Sequence, residues 1–348
     1  MQRYRRLEKL EALRGAAAFY VFAHHLVHLS PELASLKRFF VFGQLAVLVF
    51  FVLSGFVIYY ATVARNPDMP FRTYFIRRFR RIYFPFVVVL LISWLLQSWA
   101  VGDWWDPTWK DLAGNLLQLQ DKNAAGSWFE PYMANSPLWS LSYEWWFYMM
   151  FFAIYKGMRA YAPQQKYVVG AMAVIGFGTF WLWPNQISLF VGYFILWWSG
   201  LEMAREFLEK GTVTFKGQLP TLLLVALGTM LWAIPAYLHY RNGGAVNISV
   251  HPFVEFRHFA SVFVVLLLGI AWYRVGFKGF DLIFGIFTRL APISYALYIV
   301  HLPIIRFATR TRPTGSLWLD LLWIIPVTFG ISWLIERKLQ IYVNKWLK

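Results

Sequence analysis

The chain has 348 residues, of which 59% are hydrophobic and 14% charged, with a formal net charge of +16. That balance is too apolar for a soluble globular domain, whose charged share is nearer a quarter. The absence of cysteine excludes disulfides, thiolate nucleophiles and thiolate metal sites.

Apolar stretches of near-spanning length predict an all-α, polytopic membrane bundle of ten helices. The first covers 11–29 and follows a basic start, MQRYRRLEK. No small-residue cleavage site comes after it, so it is expected to be retained. Arg14 and His25 lie eleven residues apart within it. Eleven steps of about 100° bring both side chains to one face, about 16 Å apart along the axis. Ionisable groups inside a bilayer are rare, inward-facing and functional, which makes this pair the first place to look for chemistry. His24 lies about 100° around the helix and reads as a packing residue, whereas His28 shares the stripe one turn further out.

Further helices are predicted at 39–64, 82–101, 138–156, 167–183, 187–204, 219–240, 257–273, 291–309 and 317–336. Alternation from a cytoplasmic N-terminus places 23 of the 33 lysines and arginines inside, nine outside and Arg14 within the membrane. Both termini are therefore expected inside, and the net charge reflects topology rather than nucleic-acid binding. Residues 1–348 read as a single membrane domain with one long external loop, 102–137. That loop carries Asp103, Asp106, Asp111, Asp121 and Glu130 beside Trp104, Trp105, Trp109, Trp128, Phe129 and Tyr132. Rings beside carboxylates suit sugars; tryptophans at the headgroup level are the plainer reading.

Arg77, Arg78, Arg80 and Arg81 precede the third helix, with 77/80, 77/81 and 78/81 as helical neighbours. Such a cluster suits phosphate groups, and it equally suits an anionic-lipid anchor. Glu144, in Pro137-Leu-Trp-Ser-Leu-Ser-Tyr-Glu144, falls about 9 Å below the outer end of the fourth helix, near the depth of His25. At one level the two would form a general-base pair if their helices are neighbours. Ser54, Ser140 and Ser142 read as hydrogen-bonding residues, since no GxSxG elbow is present. No metal is expected, for the histidines form no HExxH motif. Tyr298 and His301 make an i,i+3 pair in the ninth helix.

Five strings in order resemble the acyltransferase-3 family of integral membrane O-acyltransferases over nearly the whole chain. Arg14 and His25 match its arginine, ten residues, histidine pattern. Phe50 to Ile58, Arg78 to Pro85, Leu138 to Tyr148 and Ser294 to Pro303 resemble its later signatures, with Phe84 inserted between Tyr83 and Pro85. The resemblance implies transfer of an acyl group, commonly acetyl, from cytoplasmic acyl-CoA to a hydroxyl of a carbohydrate or related acceptor. It implies that Arg77, Arg78, Arg80 and Arg81, with Arg14, hold the donor. His25, with Glu144, would act as general base or be transiently acylated. His28, Trp139, Ser142, Tyr143, Tyr298 and His301 are expected to contact substrate or shape the site. The expected setting is a bacterial inner membrane, with membrane lipids, acyl-CoA and a carbohydrate acceptor as partners and a homo-oligomer left open. Lacking a fused esterase-like domain, the chain resembles members that decorate surface glycans. A small-molecule acceptor such as a macrolide, a proton-coupled transporter or flippase, and a membrane sensor are the alternatives.

Overall fold

The computed structural model describes residues 2–104, 108–123 and 125–346, so Trp105, Asp106 and the terminal Lys348 lie outside the described residues. Among the described residues there is no strand, only an isolated bridge between Gln120 and Phe129. The helices, in order, are α1 (Gln2–Leu29), α2 (Gly43–Arg65), α3 (Phe71–Val101), α4 (Trp109–Leu116), α5 (Trp139–Gly157), α6 (Gln165–Leu182) and α7 (Gln186–Lys210). Then come α8 (Phe215–Arg241), α9 (Phe253–Arg274), α10 (Phe280–Phe284), α11 (Ser294–Thr311), α12 (Leu317–Trp333) and α13 (Gln340–Trp346).

Each of the ten predicted segments contains a helix; α8 and α9 start four residues earlier than expected, and α1 and α3 about ten. α1 begins at Gln2, and α3 begins at Phe71 because the arginine-rich stretch holds no breaker and Pro70 sets its entry. Gly102 ends α3 in a left-handed conformation, φ 78°. Among the described residues seven helical stretches are long and apolar enough to cross a membrane: α2, α3, α7, α8, α9, residues 291–311 and residues 317–346. α1, which carries Arg14 and three histidines, the Trp- and Tyr-rich α5, and α6 are outside that set.

α7 is the most deeply buried of these stretches, at 83% of its apolar window, and it packs most closely on α2. The reason is backbone proximity. A Cβ at Gly55 would come within 2.0 Å of the Trp197 carbonyl oxygen, and one at Gly200 within 1.8 Å of that of Val52. Without a hydrophobic drive between helices in lipid, such small-residue contacts fix their association. α1 packs on α11, α2 and residues 285–293, whereas α5 packs chiefly on α7.

Two irregularities shape the region around α11. Pro303 has no N–H to give to the Ile299 carbonyl, and Asn135 Nδ2 donates to that oxygen instead, at 3.0 Å. Residues Leu334–Leu339, between α12 and α13, form a π-helix, a form found frequently at functional sites. It carries Glu336, whose Oε1 accepts from the Ala296 N–H at the start of α11, 3.2 Å.

Candidate active site

α1 presents its two ionisable groups to different surroundings. Arg14 pairs with Glu11 at 2.9 Å, and its Nη2 donates to the Ala291 carbonyl at 3.0 Å. His25 instead faces α11. Its Nδ1 lies 3.1 Å from the Val21 carbonyl and 3.0 Å from His301 Nε2. His301 is fully buried, and its own Nδ1 lies 2.9 Å from the Leu297 carbonyl.

These contacts assign the tautomers, because a carbonyl only accepts. Both Nδ1 atoms carry hydrogen, so His301 Nε2 is an acceptor and His25 Nδ1–H points at it as well as at Val21. His25 Nε2 is left as the nitrogen with the lone pair, the arrangement a general base needs. The second histidine takes the orienting position expected of Glu144.

Glu144 does not hydrogen-bond His25, which corrects the anticipated pair. Its Oε1 accepts from Ser54 Oγ at 2.9 Å and from the Tyr148 hydroxyl. Equal depth therefore does not put the two groups in contact. Glu144 belongs to a different place, a cavity of about 140 Å³ whose polar lining includes Arg14, Arg78, Arg81, Ser54, Tyr148 and Tyr295.

The arginine cluster is likewise divided. Arg78 and Arg81 line this cavity, while Arg77 is exposed with Nη1 3.8 Å from Met69 Sδ, and Arg80 donates to the Asn344 carbonyl at 3.4 Å. Positions 78 and 81 share a helix face; 77 lies a step of about 100° away from 78. Arg81 also forms an ion pair with Glu336, whose side chain is 1% exposed. Glu336 was not singled out from the sequence, although a carboxylate inside the predicted helix at 317–336 is itself such a signal.

Ser140 and Tyr298 also line the arginine cavity, so it extends to within one turn of His301. The Tyr298 hydroxyl donates to the Pro137 carbonyl and takes the Ser140 hydroxyl's hydrogen bond, each 2.8 Å. Ser142 donates to the Gln120 and Trp139 carbonyls, each 2.7 Å. The three serines are thus hydrogen-bonding residues, as read from the sequence.

Behind Trp139 lies a second cavity, of about 230 Å³, lined by Gln44, Asp121, Lys122, Trp139, Tyr143, Tyr193, His251 and His258 among others. Phe51, which lines the arginine cavity, lies 6.1 Å from the Trp139 ring, so the two spaces stand back to back. Asp121 is buried here rather than displayed on the loop surface. Tyr143 donates to its Oδ2 at 2.9 Å and the Lys122 N–H to its Oδ1 at 2.6 Å. Burial nonetheless pushes its pKa up to about 6 and pushes that of Lys122 down. Gln44, Tyr193 and His258 were not anticipated; His258 in a predicted apolar helix carried the signal.

His24 contacts the Phe40 carbonyl through Nδ1, and His28 contacts the His24 carbonyl through Nδ1 at 2.8 Å. Their ring centroids lie 4.2 Å apart, with the planes tilted by 35°. Among the described residues no group of three or more His, Asp or Glu side chains is arranged to hold a metal ion.

A multi-pass helical chain with an arginine-lined cavity leading toward an imidazole pair, one ring buried and the other partly so, has the attributes of a membrane-embedded transferase. The family model described as "Acyltransferase domain" matches residues 7–337. The chain belongs to this acyltransferase-3 family, and it is an acyltransferase. It is similar to "Acyltransferase MdmB" from Streptomyces mycarofaciens, 27% identical over 341 residues, which cover 88% of this chain and 80% of that protein. No solved structure matches it.

Proposed function

We propose that the enzyme moves an acyl group, acetyl in the first instance, from cytoplasmic acyl-CoA to a hydroxyl of an extracytoplasmic or lipid-linked glycan. The setting is the bacterial inner membrane, with ten spans, both termini inside and residues 1–348 acting as one domain. The observation that carries this reading is the cavity that joins Arg14, Arg78 and Arg81 to the neighbourhood of the His25–His301 pair. Arginine guanidinium groups bind phosphates bidentately, and three of them in the lining of one cavity suit the phosphates of a CoA donor.

In this reading His25 Nε2 takes the proton of the acceptor hydroxyl as its oxygen attacks the thioester carbonyl carbon. His301 Nε2 accepts from His25 Nδ1–H and steadies the imidazolium that forms. Collapse breaks the carbon–sulfur bond, and the imidazolium returns its proton to the departing thiolate. Ester and free CoA are the products. Glu144, held by Ser54 and Tyr148, stands in the same lining as the arginines and keeps the cavity wall ordered.

The test compares surface glycans by mass spectrometry from cells that carry the gene, lack it, or carry His25→Ala. Ester groups should appear with the wild-type gene alone. Esterification retained in cells with correctly inserted His25→Ala protein would overturn the assignment.

A further inference from the structure

The cavity behind Trp139 is unused by the donor side, and its chemistry identifies a ligand class. Resting on the acyl-transfer reading, we propose that it binds the hydroxyl-bearing part of the acceptor as a single neutral polyol ring. Three observations lead there. The volume of about 230 Å³ lies below the roughly 300–1,000 Å³ of pockets that enclose drug-sized ligands, so it admits one ring rather than a large molecule.

The second observation is the set of hydrogen-bonding groups. His258 Nε2 donates to Gln44 Oε1 at 3.3 Å, and His258 Nδ1 accepts from the Tyr193 hydroxyl at 3.0 Å. Among the described residues the Gln44 amide NH2 has no hydrogen-bond partner, and the Tyr193 oxygen keeps its lone pairs. Lys122 and Asp121 complete the polar lining with an ammonium-bearing and a carboxylate-bearing side chain. A wall offering both donors and acceptors matches hydroxyl groups, each of which is both. The lining contains one ammonium and one carboxylate, Lys122 and Asp121, so it favours no net charge on its ligand.

The third is position. Gly43, the residue before Gln44, lies against the His24 ring, and the rings of His24 and His25 are 5.0 Å apart. A ring seated in this cavity stands beside the histidine end of α1, with Trp139 and Phe51 between it and the arginine cavity.

Two measurements on the full chain in lipid nanodiscs test this. In the first, acetyl-CoA is supplied with methyl glucoside, methyl mannoside or methyl glucuronide, and free CoA and ester are measured. The neutral glycosides should be acetylated and the glucuronide not. Gln44→Leu and Tyr193→Phe should raise the glycoside KM about tenfold while the acetyl-CoA KM moves less than about twofold. Equal rises in both constants, an unchanged glycoside KM, or equal use of the glucuronide would overturn the proposal. Wild-type protein that releases no CoA with any acceptor would instead refute the acyl-transfer reading.

The second measurement does not depend on turnover. The chain lacks cysteine, so Gln44→Cys introduces a unique thiol. Methyl glucoside should slow its modification by a maleimide at least threefold, and methyl glucuronide should not. No protection by the neutral glycoside would overturn the assignment even if other variants fold poorly.

Discussion

His25 Nδ1 and His301 Nε2 stand 3.0 Å apart, each ring anchored by Nδ1 to the carbonyl four residues earlier in its own helix. α1 and α11 therefore each fix one imidazole by local geometry, and the packing of the two helices makes the pair. Loss of either histidine should have distinguishable effects. His25→Ala removes the proton acceptor and should lower turnover by about 10²–10⁴. His301→Ala removes one hydrogen bond that strengthens as His25 becomes charged, and should cost about 10- to 100-fold in kcat with little change in acetyl-CoA KM. Steady-state kinetics on both variants checks this; equal losses would show that His301 does more than steady its partner.

The division of the arginine cluster gives a sharper test than removal of all four. Arg78→Ala should raise the acetyl-CoA KM about 10- to 100-fold, the value of one charge-assisted interaction. Arg77→Ala, at an exposed position outside the cavity, should move it less than about threefold. Kinetics with varied acetyl-CoA separates the two, and equal effects would refute the cavity as the donor route.

Glu336 serves two masters, Arg81 and the first turn of α11. Glu336→Ala leaves a half-buried guanidinium and a backbone N–H without their acceptor. The expected destabilisation is about 1–3 kcal/mol, smaller than for a fully buried pair because the Arg81 side chain is 38% exposed. A thermal melt in detergent measures it, and Glu336→Gln, which retains an acceptor for the Ala296 N–H, should lose less.

Asp121 carries a pH signature. Its carboxyl ordinarily titrates near 3.8 and in the fold near 6, because burial disfavours the charge. Between these values the folded chain binds more proton than the unfolded one, so stability falls as pH rises from about 4 to 6 and is level above. The total is roughly 3 kcal/mol. Melts across pH 4 to 7.5 should show that decline, and Asp121→Asn should flatten it. A decline of the same size in the variant would assign it to other groups.

The helices were legible because lipid demands long apolar runs, and α1 declared its chemistry through the cost of Arg14 and His25 in such a run. Depth along a helix could also be counted, since rise per residue is fixed. What could not be counted was which helices are neighbours. Glu144 and His25 share a level, yet α5 packs chiefly on α7 and α1 on α11. In the same way, the sequence shows that Arg78 and Arg81 share a face but not that this face turns inward. Asp121 read as a surface carboxylate because it stands in a polar loop; Tyr143, from α5, is what draws it inside.

Pro303 and Asn135 carry a consequence for motion. The carbonyl that proline abandons is claimed by a side chain just before α5, so the loop end and α11 are latched at Ile299, two residues from His301. A displacement of the 102–137 segment would be transmitted to the imidazole relay through that latch and through the neighbouring hydrogen bonds from Tyr298 to Pro137 and from Arg306 to Ala134. Pro303→Ala would give Ile299 an internal partner again and loosen the coupling nearest the relay, while Tyr298 and Arg306 would still hold the loop to α11.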